Sequence, residues 1–138
     1  MKSRIALYLI AGTLTLTSCQ RSAVQAHSPL PFGSVDLPAP KTAVKGQIQV
    51  AGWALSEQPI HSVTLYVDRK YMGEASSSIE RPDVAAANPT YTDAAKSGWL
   101  ITLDTMFLAP GWHDLVVQAK TESGVTRDLS TVPVLVQR

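Results

Sequence analysis

From Gly46 onward the chain repeats one short rhythm. In Gly46–Ala54, Ile48 and Val50 fall on one side of an extended backbone and Gln47 and Gln49 on the other, the period of two that a half-buried strand requires. Ile60–Asp68 repeats it, with Val63, Leu65 and Val67 opposed to Ser62, Thr64 and Tyr66. Trp99, Ile101 and Leu103 oppose Leu100, Thr102 and Asp104, and Leu115, Val117 and Ala119 share a face of Trp112–Lys120. Tyr71–Ala75 has the length of a returning hairpin arm, and Val125–Gln137 supplies the last strand. Pro133 has no N–H for a ladder, which predicts an edge or a bulge at that point.

Turn residues separate these runs: Glu57-Gln58-Pro59, Asp68-Arg69-Lys70, Leu108-Ala109-Pro110-Gly111 and Glu122-Ser123-Gly124. A long loop, Ser76–Ser97, carries Arg81-Pro82-Asp83, Asn88-Pro89 and Asp93. No sustained period of 3.6 follows Cys19, although Pro82–Ala87 is compatible with a turn of helix. Strands at short intervals between turns predict an all-β fold, an antiparallel sandwich or small barrel. A domain of about 90 residues buries little more than about 60% of its unfolded surface, so Trp53, Trp99 and Trp112 are expected to pack much of the core.

Ahead of Gly46 the rhythm stops. Residues 20–45 hold Pro29, Pro31, Pro38 and Pro40 without a period and read as an extended stalk, with a reach of up to ~80 Å for ~25 residues. Before it, Lys2 and Arg4 precede an apolar run, Ile5–Leu16, which has the form of an export signal and is too short to span a bilayer comfortably. Leu16-Thr17-Ser18-Cys19 resembles the lipobox of bacterial lipoproteins: an aliphatic residue, two small ones and a cysteine. The resemblance implies cleavage before Cys19 and a diacylglyceryl thioether on its thiol. Acyl chains such as palmitate would then hold the protein to the membrane, each CH₂ contributing ~0.8 kcal/mol. Cys19 is the single cysteine, so it has no partner for an intramolecular disulfide. Gln20, where an aspartate would signal inner-membrane retention in a Gram-negative cell, points by the same analogy to the outer membrane, on its periplasmic face or at the cell surface. The expected organisation is a leader over 1–18, a lipidated linker over 19–45 and a β-sandwich over 46–138.

Removing that leader changes the charge. The chain has 12 Lys+Arg and 11 Asp+Glu; without Lys2 and Arg4 the balance is 10 against 11, a net of −1. Nucleic-acid binding rests on clustered cations that release phosphate counterions, and no such cluster stands out.

Several motifs in order carry a second resemblance. Gly52-Trp53-Ala54-Leu55, Val63–Asp68, Gly73-Glu74-Ala75, Arg81-Pro82-Asp83-Val84-Ala85, Ser97-Gly98-Trp99 with Leu103-Asp104, and Gly111-Trp112-His113 are similar to a bacterial Ig-like β-sandwich module. The similarity runs from Gly46 to about Thr121. It implies an Ig-like sandwich appended to a secreted or surface protein, often with no activity of its own. Two positions depart from the pattern. Arg69 stands where the family has glycine, so a two-residue turn with positive φ is disfavoured and a longer or different turn is expected. Asn88 stands where an aromatic residue is common.

The candidate chemistry is thin. Arg81 and Asp83 can present a binding site on an exposed loop or brace the loop; bracing is the favoured reading, because a long ordered loop must satisfy its own backbone. His113 shares parity with Leu115 and is expected at the edge of the core as a structural histidine. His27 and His61 have no second ligand at a useful spacing, so no metal site is predicted. No glycine-rich phosphate loop, nucleophile elbow or cofactor motif is present. Asp83, Asp93 and Asp104 leave open a carboxylate pair or a calcium site. Trp53, Tyr66, Tyr71, Tyr91 and Trp112 leave open an exposed stacking surface, with Tyr66 the best candidate for exposure. The reading is a non-enzymatic envelope lipoprotein that displays an Ig-like domain for protein binding or spacing. Its alternatives are a module for carbohydrate or another envelope polymer, and a small enzyme or inhibitor with a loop-built site.

Overall fold

The computed structural model describes residues 30–138. The leader, Cys19 and the linker up to residue 29 lie outside the described residues. Those described form nine strands and one short helix: β1 Phe32–Leu37, β2 Thr42–Val44, β3 Gln47–Leu55, β4 Ile60–Val67, β5 Lys70–Glu74, β6 Ser76–Ile79, α1 Pro82–Ala87, β7 Gly98–Asp104, β8 Gly111–Thr121 and β9 Thr126–Val136. One sheet has the order β1-β3-β7-β6 and the other β2-β9-β8-β4-β5. This is an all-β sandwich with Ig-like strand order. Every pair is antiparallel except β2 with β9, which is parallel, so the second sheet is mixed rather than wholly antiparallel.

The alternation read from the sequence becomes the core. Val50 and Trp99 from one sheet meet Leu65, Leu115, Val117 and Val134 from the other, all buried. Trp99 Nε1 is buried without a hydrogen-bond partner among the described residues, at a cost of about 1–3 kcal/mol. The Trp99 indole lies over Gly52, where a Cβ would meet the ring's Cζ2 at 2.8 Å and collide with the Ser34 backbone oxygen. A side chain at Gly52 would therefore push apart β1, β3 and the largest core residue together.

The expected stalk is overturned over its second half. β1 pairs with β3 from Phe32↔Leu55 to Leu37↔Ala51, and β2 pairs with β9 at Thr42↔Val134 to Val44↔Val136. Pro31 is fully buried and Val44 joins the core. Pro31, Pro38 and Pro40 mark a strand boundary and the crossing between sheets, where a missing N–H costs nothing, rather than a solvated spacer. β1 was illegible because it is an edge strand whose residues do not alternate between buried and exposed.

Three loops also differ from expectation. The β4–β5 connection is a two-residue turn closed by Val67↔Lys70, with Asp68 at φ 48 and Arg69 at φ 69. The turn disfavoured by the absence of glycine thus forms, and its left-handed Arg69 costs about 1 kcal/mol. Ser76–Ser97 is not one loop: it contains β6, α1 and a 3₁₀ turn at Ala94–Lys96. Pro133 lies in an interior strand but at the point where β2 pairing begins. Its carbonyl accepts from Lys41 N–H at 2.7 Å, so the missing N–H faces the side left open there. The β9 irregularity lies elsewhere, opposite Val117 and Gln118.

Candidate binding surface

The sandwich has two poles, and its candidate residues sort between them. Phe32 sits beside Leu55 at one end of β3, and Asp104 sits beside Gln47 at the other, about 30 Å apart for nine residues at ~3.3 Å each. The described chain therefore enters at the first pole, together with α1. The 3₁₀ turn Thr105–Phe107 and the β4–β5 turn close the second.

Arg81 belongs to the first pole. Its Nε and Nη2 donate to the two carboxylate oxygens of Asp83 at 2.9 and 2.7 Å, and Nη1 donates to Asp36 on β1 at 2.8 Å. Pro82 and Asp83 occupy the first turn of α1, whose Val84 is buried with Leu55 and Ala94. Arg81 N–H donates to Ala95 O, and Ser97 O accepts from Ala54 N–H. Gly98 completes the arrangement. A Cβ there would meet Ile79 O at 2.8 Å and Arg81 Cγ at 3.0 Å, so glycine lets the arginine stem lie across β7. The guanidinium holds Asp83 down at about 2, through its hydrogen bonds first. The carboxylates in turn push the Arg81 pKa further up, Asp83 contributing most. Each guanidinium nitrogen of Arg81 thus donates to one of the protein's own carboxylates.

His113 lies at the second pole with a partner that the sequence did not suggest. Nδ1 is 2.6 Å from Asp68 Oδ2 and Nε2 is 2.7 Å from Ala109 O. A carbonyl and a carboxylate both accept, so the arrangement favours imidazolium, with both ring nitrogens donating. The Ala109 carbonyl first, then Asp68, raises the His113 pKa. Asp68 is held below the usual carboxylate value by Asp114 N–H first and His113 second. Asp68 N–H also donates to Asp114 O at 3.0 Å. These bonds to β8 offset the strain of the two-residue turn. Asp36 and Asp68 each lie 45 residues from their partners, a separation at which no local spacing rule applies.

The aromatic residues do not form one surface. Trp53 and Tyr91 are half-buried at the first pole against Phe32, with ring centroids 5.9 and 5.3 Å away. Tyr66, Tyr71 and Trp112 belong to the second sheet. Tyr66, expected to be the most exposed, is half-buried and packs edge-to-face with Tyr71 at 6.1 Å. Tyr71 and Trp112 are each 60% exposed. Met106 at 67% and Phe107 at 84% exceed both, and neither was singled out from the sequence, because a lone Met-Phe pair in a turn has no period. Asp104 stands at the opposite pole from Asp83, so the three carboxylates do not converge. Among the described residues no group of three His, Cys, Asp or Glu side chains is placed to hold a metal.

No protein-family model and no curated protein matches the chain. Solved structures do. An endo-β-1,4-mannanase from Thermotoga petrophila is 13% identical with a TM-score of 0.54, over 85% of this chain but 21% of the mannanase, so the chain spans about a fifth of that protein. The fibronectin(III)-like modules of CbhA from Clostridium thermocellum are 15% identical with a TM-score of 0.54, over 75% of this chain and 93% of the module. At these identities the likeness is one of fold: the chain is similar to a self-contained β-sandwich module.

Proposed function

We propose that the protein is a non-catalytic binding module held on a bacterial envelope membrane by acyl chains on Cys19. The observation that carries this reading is the separation of the poles. The described chain enters beside Phe32 and Leu55, whereas the four most exposed large apolar side chains among the described residues, Phe107, Met106, Trp112 and Tyr71, lie at or beside the far end. A domain tethered by its entry pole leaves the other one free to engage a second surface. Arg81 and His113 are both held by internal partners through every nitrogen of their side chains, which favours scaffolding roles for them over turnover of a substrate. Palmitate labelling and membrane fractionation test the anchor. The parent chain should take the label and stay with membranes in high salt, while Cys19→Ser should take no label and wash off in high salt, which screens any purely electrostatic contact; a labelled Cys19→Ser protein, or one that high salt leaves membrane-bound, overturns it.

The open face of the second sheet supports a second reading. Tyr66 sits opposite Val116 and pairs with Tyr71, and Trp112 lies four residues along β8 from Val116, which offsets Trp112 from the tyrosines by roughly 13 Å along the strand direction. Rings spaced on a flat polar face suit stacking on successive sugars of a glycan. Affinity electrophoresis in soluble envelope polysaccharide, with Trp112→Ala and Tyr71→Ala as comparisons, tests it through the loss of retardation.

A further inference from the structure

The pole opposite the chain's entry combines features that the anchor does not need. Met106 and Phe107 are consecutive, 67% and 84% exposed, on a one-turn 3₁₀ segment. The segment is fixed. Thr105 N–H and Oγ1 both donate to Gly46 O, at 3.0 and 2.8 Å, Met106 N–H donates to Asp104 Oδ1 at 2.9 Å, and Leu108 N–H returns to Thr105 O. His113 holds the following residue, Ala109, by its carbonyl. Two apolar side chains are thus kept in water on a rigid support, and burying them elsewhere carries little ordering cost.

Cations belong to the segments beside this knob. Lys70 and Phe107 line one groove with Tyr71 and Met72, Arg69 is the next residue of the turn, and Lys45 precedes the Gly46 carbonyl that binds Thr105. All three are exposed and have no ion-pair partner among the described residues. Two of the neighbouring carboxylates are hydrogen-bonded within the domain, Asp68 to His113 and Asp114 N–H, Asp104 to Met106 N–H; Asp68 and Asp114 are both exposed. Tyr71 and Trp112 stand at the margin, each with an apolar body and a polar tip.

We propose that this pole docks on an anionic lipid bilayer, Met106 and Phe107 entering the acyl boundary while Lys45, Arg69 and Lys70 meet the headgroups. Protruding apolar side chains ringed by cations, with Tyr and Trp at the level between them, match the layered polarity of a membrane interface. A glycan would need hydrogen-bonding groups where Met106 and Phe107 offer none. The docking does not depend on acylation of Cys19, so it stands or falls separately from the anchor.

Cys19 is the single thiol, so the full chain with Cys19→Ser and Met106→Cys carries one polarity-sensitive fluorophore at the knob, and Cys19→Ser with Glu122→Cys carries it at the other pole. With vesicles of equal phosphatidylcholine and phosphatidylglycerol, the probe at 106 should shift to the blue and the probe at 122 should not. Pure phosphatidylcholine should give at least about tenfold weaker response, as should Arg69→Glu combined with Lys70→Glu. Far-ultraviolet circular dichroism matching the parent confirms that each variant is folded. Equal shifts at 106 and 122, no shift at 106, or the same response to neutral vesicles would overturn the proposal. So would a shift at 106 produced by soluble envelope polysaccharide and not by vesicles.

Discussion

Arg81 and His113 solve the same problem at opposite poles: each fastens a sharply bent segment to a distant strand through charged hydrogen bonds. Arg81→Ala frees Asp83 and Asp36 and exposes the packing over Gly98, and the exposed ion pairs alone are worth little after solvent screening. The expected result is a fall in melting temperature of about 5 °C at neutral pH, measured by calorimetry. Because the folded Asp83 titrates at about 2, below its ordinary 3.8, its contact stabilises above pH 3.8 and fades as pH falls through about 2. The gap between parent and variant should close in that acid window. His113 has the opposite sign. Its folded pKa is raised above 6.5, so its contribution is whole below pH 6.5 and disappears as pH climbs through the folded value. Melting temperature should decline with rising pH on the alkaline side in the parent and stay flatter in His113→Gln; equal slopes would refute a charged His113.

At the level of strands and turns, the pattern is legible wherever an element buries one face only. β3, β4, β7 and β8 match their alternating runs to within a residue or so at each end, since a period of two is what a half-buried strand imposes. β1 and β2 imposed no such period. One lies at an edge with nearly uniform burial, and the other is three residues long with only Val44 inward. Their contribution is testable. A chain starting at Gly46 loses the partner of β3, the parallel cover of β9 and Val44, and should aggregate or unfold without cooperativity. A chain starting at Leu30 should melt in a single sharp transition. Comparable transitions for the two would show that β1 and β2 are ornamental.

For the molecule as a whole, pole-to-pole separation matters more than any single group. The entry pole is closed by its own small core of Leu55, Val84 and Ala94, which explains why Arg81-Pro82-Asp83-Val84 and Ser97-Gly98-Trp99 occur together in one sequence. The far pole carries the most exposed large apolar side chains among the described residues. If binding is the role, substitutions there should spare stability and cost association, whereas substitutions around Arg81 should do the reverse.

Local pattern was sufficient for the all-β class, for four principal strands and for the inward placement of Leu65, Leu115 and Val117, because alternation is enforced between neighbours along the chain. It was also sufficient to place His113 at the margin of the core. Tertiary structure alone decided that residues 32–44 belong to the sandwich, that Asp68 and Asp36 are the partners of His113 and Arg81, and that Tyr66 is covered while Phe107 is not. Each of those outcomes depends on strands that meet across dozens of residues, and contact at such separations is fixed by how two sheets close on one another, which no short window of sequence encodes.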